Sequence, residues 1–176
     1  MREEITPNRI LGFYFVMPIL IGIILSDIVG IDVSSVTQEQ IGLFRFLEDA
    51  GRDIQTKSMM FWGYLVFTPF AWLYFTEHRR RTPTYAQYCL DKTSTSKMVF
   101  VVVASLVFFI IGIFLFVIGL HHSAMINPSR ATQALLSCSY WDISFGIFLG
   151  VLLMGMVSGL FGVFIGTKEL VRRMSP

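Results

Sequence analysis

The side chains able to hold a metal, run thiol chemistry or relay a proton are few: three His, two Cys and 12 Asp plus Glu. His121, His122, Cys138 and Asp142 share one stretch of chain, the nearest approach to a metal-ligand set. Adjacent histidines on a helix point in different directions, and no HxxxH or CxxH spacing accompanies them, so no metal is expected. Cys89 and Cys138 stand alone rather than in a CxxC pair, which removes the usual thiol–disulfide chemistry. Two-histidine haem ligation needs both rings at one depth. His78 follows the second apolar run and His121 and His122 the third, which sets them a membrane thickness apart, so no haem is expected. No nucleophile–base pair emerges either. The residues therefore predict neither enzyme nor cofactor, and no small-molecule substrate.

Four apolar runs account for this poverty of chemistry. They cover residues 10–26, 59–75, 98–120 and 143–166, and none contains Lys, Arg, Asp or Glu. A bilayer core of about 30 Å takes about 20 apolar residues as a helix. With their tolerable flanks the runs predict spans at 10–29, 59–76, 98–120 and 143–166. Only 15% of residues are charged and 54% are hydrophobic, against about 25% charged in soluble domains. A soluble protein of this size could not cover such helices on every face. The expected fold is all-α: a polytopic integral membrane four-helix bundle, one domain over 1–176. Asp27, Glu77 and Asp142 are the ionisable groups nearest the spans, and all lie at span ends. Proton relays and ion pathways place such groups deeper.

Lys and Arg set the expected orientation. Four crossings put the N-terminus, the 77–97 loop and the C-terminus on one side, with Arg2, Arg9, Arg79, Arg80, Arg81, Lys92, Lys97, Lys168, Arg172 and Arg173. Arg45, Arg52, Lys57 and Arg130 fall opposite. That asymmetry predicts cytoplasmic termini, in a membrane most simply read as bacterial and inner. The first apolar run lacks a small-x-small cleavage site and reads as a retained helix. The net charge of +2 is thus a topology signal and implies no nucleic-acid partner. The Arg79–Arg81 triplet reads first as a topology anchor, with an anionic-lipid or protein contact as the functional alternative.

Between the first two spans, Thr37-Gln38-Glu39-Gln40 matches a capping box. It predicts an amphipathic outer helix over 38–51, with Phe44 and Leu47 on its apolar face. That face either docks an outside partner or covers the helix ends. Pro18 and Pro69 fall inside the first and second spans and read as packing bends.

Small residues carry the clearest packing signal. Gly155, Gly159, Gly162 and Gly166 lie within about 60° of one another at 100° per residue, a seam for close backbone approach. Gly146 and Gly150 form a second seam on nearly the opposite face. Ala104, Ser105, Gly112 and Gly119 make a comparable strip on the third span. One seam serves the neighbouring span; the other is left for the second span or a foreign helix.

The layout resembles that of immunity proteins against pore-forming colicins of the colicin A type. It combines a Pro-containing first helix (13–25, FYFVMPILIGIIL), a longer first outer loop, a basic loop after the second helix and a basic tail at 168–173. The resemblance implies recognition of a toxin's hydrophobic helices within the inner membrane, and transfers no individual residue. The chain is similar in the same way to entry- and superinfection-exclusion proteins, which are also small membrane blockers. The expected partners are membrane lipids and either another membrane protein or the helices of a pore-forming toxin. The competing expectation is an accessory subunit of a secretion, conjugation or energy-converting membrane complex.

Overall fold

The structure, a computed structural model, describes residues 6–82, 91–117 and 129–174, which are helical with no strand among them. The first helix, α1 (Pro7–Ile23), starts at Thr6 in extended backbone with Pro7 in its first turn, where the missing N–H costs nothing. A π turn over Ile24–Ile28 continues it. Gly30, at φ +76°, then reverses the chain in a conformation glycine alone adopts freely. Two short helices follow, α2 (Ser34–Gln40) and α3 (Gly42–Asp49), before α4 (Gln55–Arg81). Beyond it come α5 (Thr95–Val117), α6 (Arg130–Cys138) and α7 (Asp142–Met174).

Three segments are long and apolar enough to cross a membrane: Pro7–Ile28, Thr95–Phe114 and Asp142–Met174. At 1.5 Å per residue the shortest reaches about 30 Å. The second apolar run forms the centre of α4 but is not among the three. Trp62, Tyr64, Thr68, Pro69, Trp72 and Tyr74 dilute its apolarity. Its 27 residues are ample in length.

Helix α7 is the hub. It touches α1, α4, α5 and α6, whereas α5 makes its main contacts with α7 and α3. Helices α1 and α4 form an antiparallel hairpin. Phe13 meets Phe67 and Phe70 at one end, with ring centroids 5.5 and 5.1 Å apart. Pro18 lies on Gly63 midway, and Gly22 meets Met60 at the other end. Pro18 is fully buried, so this proline serves packing. Ends alternate through all four long helices. The N-termini of α1 and α5 share one end with the C-termini of α4 and α7, and most of the basic residues gather there. We call it the basic end. The other, under α2 and α3, is the capped end.

The segment at the capped end departs from the expected single helix over 38–51. Thr37 is not an N-cap. It lies inside α2, fully buried, with its hydroxyl donating to Val33 O and accepting from Trp62 Nε1 at 2.9 Å. A hydroxyl so engaged cannot cap a helix starting at Gln38. The chain breaks instead at Ile41 (φ −123°, ψ 102°) and restarts at Gly42. The break lets Thr37 face α4 while Phe44 and Leu47 turn into the bundle.

Helix α7 also runs beyond the expected 166 to Met174. The extension is polar and held along its own face. Glu169 accepts from Arg172 at 2.7 Å and Arg173 at 3.0 Å, an i,i+3 and i,i+4 pairing.

Candidate functional site: the faces of α7 and the polar layers at its ends

Both glycine seams of α7 are occupied within the chain. Gly155, Gly159, Gly162 and Gly166 face α5, against Phe108, the Ser105 carbonyl, the Ser105 hydroxyl and Val102 respectively. A Cβ at Gly159 would sit 3.2 Å from Ser105 O, tighter than ordinary contact, so two backbones meet here. Gly112 of α5 returns the contact beneath Met156. Of the strip expected on the third span, Ser105 and Gly112 face α7, Ala104 is exposed, and Gly119 lies outside the described residues.

Gly146 and Gly150 receive side chains from the hairpin. A Cβ at Gly146 would meet Ile19 at 2.7 Å and Met60 at 3.1 Å. One at Gly150 would meet Tyr64 at 2.7 Å and Phe15 at 2.8 Å. The second seam thus takes the first and second helices together.

Phe44 and Leu47 are fully buried. The Phe44 ring stands edge-on to Phe61 of α4 and Phe145 of α7, 5.4 and 6.1 Å away. Of the two roles weighed for this apolar face, covering the helix ends is the one observed. Burial removes both side chains from any docking surface. The reason is geometric: α4 and α7 both begin here and leave their first turns open above Phe61 and Phe145, and α3 fills that gap.

Two polar groupings escaped the reading of the sequence. At the capped end, Lys57 is 3% exposed and its ammonium pairs with Asp142 while donating to Asp53 O at 2.8 Å. Beside it Thr56 donates to Asp27 at 2.8 Å and shares a hydrogen bond with Ser26 at 2.9 Å. The π turn at Ile24–Ile28 accompanies this contact and leaves Ser26 buried. A signal existed: Lys57 and Asp142 sit one or two residues before apolar runs, so parallel helices bring them to one depth. Arg52 ties the same end to α6, donating to Leu136 O and covering the Tyr140 ring at 5.1 Å.

At the basic end Arg172 lies between Glu169 and Asp91, 2.7 and 3.6 Å away. Arg173 bonds Glu169 and the Thr93 carbonyl at 2.8 Å, joining α7 to the chain leading into α5. Hydrogen bonding from Arg172, reinforced by Arg173, holds the Glu169 carboxyl below its ordinary range.

Asp142 and Cys138 fall near each other in sequence, with Asp142 committed to Lys57 and the Cys138 thiol free and partly buried. His121, His122 and Cys89 lie outside the described residues. No protein family, curated protein or solved structure matches the chain.

Proposed function

We propose that this chain is a four-span inner-membrane bundle that acts by helix-mediated recognition. In this reading α4 is the fourth crossing and the basic end is cytoplasmic. Tyr64 bonds the Phe15 carbonyl of α1, Trp72 packs on Phe161 of α7, and the Thr68 and Thr76 hydroxyls bond carbonyls of α4 itself, which offsets its lower apolarity. The protein belongs with immunity- or exclusion-type blockers that meet an incoming pore-forming toxin.

One observation carries the reading. Helix α5 turns Val102, Ser105, Phe108, Phe109 and Gly112 toward α7. The diametrically opposite stripe is Phe100, Val103, Val107, Ile110 and Phe114, all exposed. Steps of three and four place these on one helical face, the spacing used by helices that pair with others. Phe100 is 71% and Phe114 61% exposed. A membrane-active helix entering the bilayer meets a regular apolar ridge there.

The test measures membrane potential in cells that carry the chain and are challenged with a panel of pore-forming toxins. Retained potential is expected for one toxin class. It should be lost when Phe100, Val107 and Phe114 are all replaced by Ala, at unchanged membrane abundance. Equal depolarisation with and without the chain across the panel overturns the blocker reading. Stoichiometric recovery within a larger membrane complex, abolished by the same triple variant, would establish the alternative, an accessory subunit.

A further inference from the structure

At the basic end a half-open cleft of about 390 Å³ lies between the last turns of α4 and α7, lined by Arg79, Ile165, Lys168, Glu169, Val171 and Arg172. Its charges are lopsided. Three cations line it against one carboxylate, and Glu169 is already engaged by Arg172 and Arg173. Among the described residues no carboxylate pairs with Arg79 or Lys168. Arg172 uses one terminal nitrogen for Glu169 and Asp91, and a guanidinium carries five donors. The helix C-termini themselves repel anions, so attraction here comes from side chains alone.

The cleft also straddles the polarity boundary of the helices. Ile165 is the last large apolar side chain of the 143–166 run, while Lys168 and Arg172 follow within two turns. Below it, on the apolar side, the junction of α4 and α7 is aromatic. Trp72 lies edge-on to Phe161 and Phe164 at 5.1 and 5.8 Å, and Phe164 is 54% exposed. A cationic mouth above an exposed aromatic slope fits a molecule with a phosphate at one end and hydrocarbon at the other.

We propose that this cleft binds the phosphodiester headgroup of an anionic phospholipid, with an acyl chain lying along Phe164 and Ile165. Arg79, Lys168 and Arg172 contact the phosphate; basic clefts at the cytoplasmic ends of membrane helices suit such headgroups. The assignment is independent of what the ridge of α5 meets.

Native mass spectrometry of the purified full chain, released from micelles containing equal phosphatidylglycerol and phosphatidylcholine, tests it. Retention of phosphatidylglycerol over phosphatidylcholine is expected. The double variant Arg79→Gln/Lys168→Gln spares the Arg172–Glu169 pair and should weaken retention about thirtyfold, on the scale of one basic residue's attraction applied twice. Arg80→Gln should leave it unchanged, because Arg80 is exposed and faces Glu77. Unselective retention of the two lipids, or equal retention by the double variant, overturns the proposal. So does displacement of phosphatidylglycerol by millimolar inorganic phosphate, which would make the cleft a site for free phosphate.

Discussion

Successive glycines on the α5-facing seam of α7 should respond unequally to the same small change. In Gly159→Ala the new methyl sits 3.2 Å from the Ser105 carbonyl oxygen, so a backbone must retreat by a few tenths of an ångström. In Gly155→Ala it sits 3.5 Å from the Phe108 ring, an ordinary contact with a side chain that can yield. Overpacking a tight contact costs about 1–3 kcal/mol. A shift this small forfeits less than a quarter of each dispersion contact, which places Gly159→Ala near the low end, about 1 kcal/mol. The helix-propensity gain of Ala over Gly, about 1 kcal/mol in water, largely cancels where separated helices stay helical in the micelle. Gly155→Ala should therefore fall within about 0.5 kcal/mol of the parent, the expected scale for a surface-like change. Gly159→Leu forces the helices further apart and should cost about 3 kcal/mol. The assay is SDS titration in mixed micelles. Electron-spin distances between labels at the exposed positions Val101 and Val171 report separation directly. A Gly155→Ala loss equal to that of Gly159→Ala would refute the rotational setting of α7 against α5.

Four more outcomes follow from the geometry. Asp142→Ala strands the buried Lys57 ammonium and should cost about 2 kcal/mol, between buried and exposed pairs; Lys57→Met should cost less, since Asp142 reaches solvent, and thermal denaturation of both and of the double variant measures the difference. Phe44→Glu with Leu47→Glu puts two charges into the packed cap, so limited proteolysis near 30–55 should accelerate at unchanged insertion; unaltered protection would mean that the face is exposed. The Tyr14 hydroxyl is buried without a partner among the described residues, whereas Tyr64 donates to Phe15 O at 3.2 Å; Tyr14→Phe should thus be neutral or stabilising and Tyr64→Phe should cost about 1 kcal/mol in the same titration. Glu169 has a depressed carboxyl pKa, so its stabilising contribution is complete above the ordinary carboxylate value, about 4.3, and is lost as pH falls below it; spin-label mobility at Val171 should rise in acid, and Glu169→Gln should abolish that pH dependence.

The residues announced the long helices because an uninterrupted apolar run leaves few alternatives. They also announced that α7 has two opposed close-packing faces, since only glycine leaves such grooves. What they could not assign was the occupant. Gly146 and Gly150 ask for bulky neighbours, and Phe15, Ile19, Met60 and Tyr64 answer that request as well as a foreign helix would. Phe44 and Leu47 were legible as an apolar face but not as a buried one, because burial depends on where α4 and α7 begin. Thr37 shows the limit of local pattern. Its capping-box spacing is sound, yet the indole of Trp62, far along the chain, competes for the hydroxyl and wins. The pairing of Lys57 with Asp142 required α4 and α7 to be neighbours as well as parallel, a tertiary fact that no window of sequence contains.

The dependence of α5 on α7 has a consequence for how the protein is made. The hairpin of α1 and α4 can close as soon as α4 has left the ribosome, because Pro18, Gly22, Met60 and Gly63 are then all present. Helix α5 meets α3 near its far end, but its principal partner, α7, follows only later. From Val117 to Met174 is 57 residues, or about 3–11 s of synthesis at 5–20 residues per second. Through that interval the Ser105 groove and the ridge beginning at Phe100 both stand open to the bilayer. The main contact surface of α5 is therefore completed only by the last helix to be made.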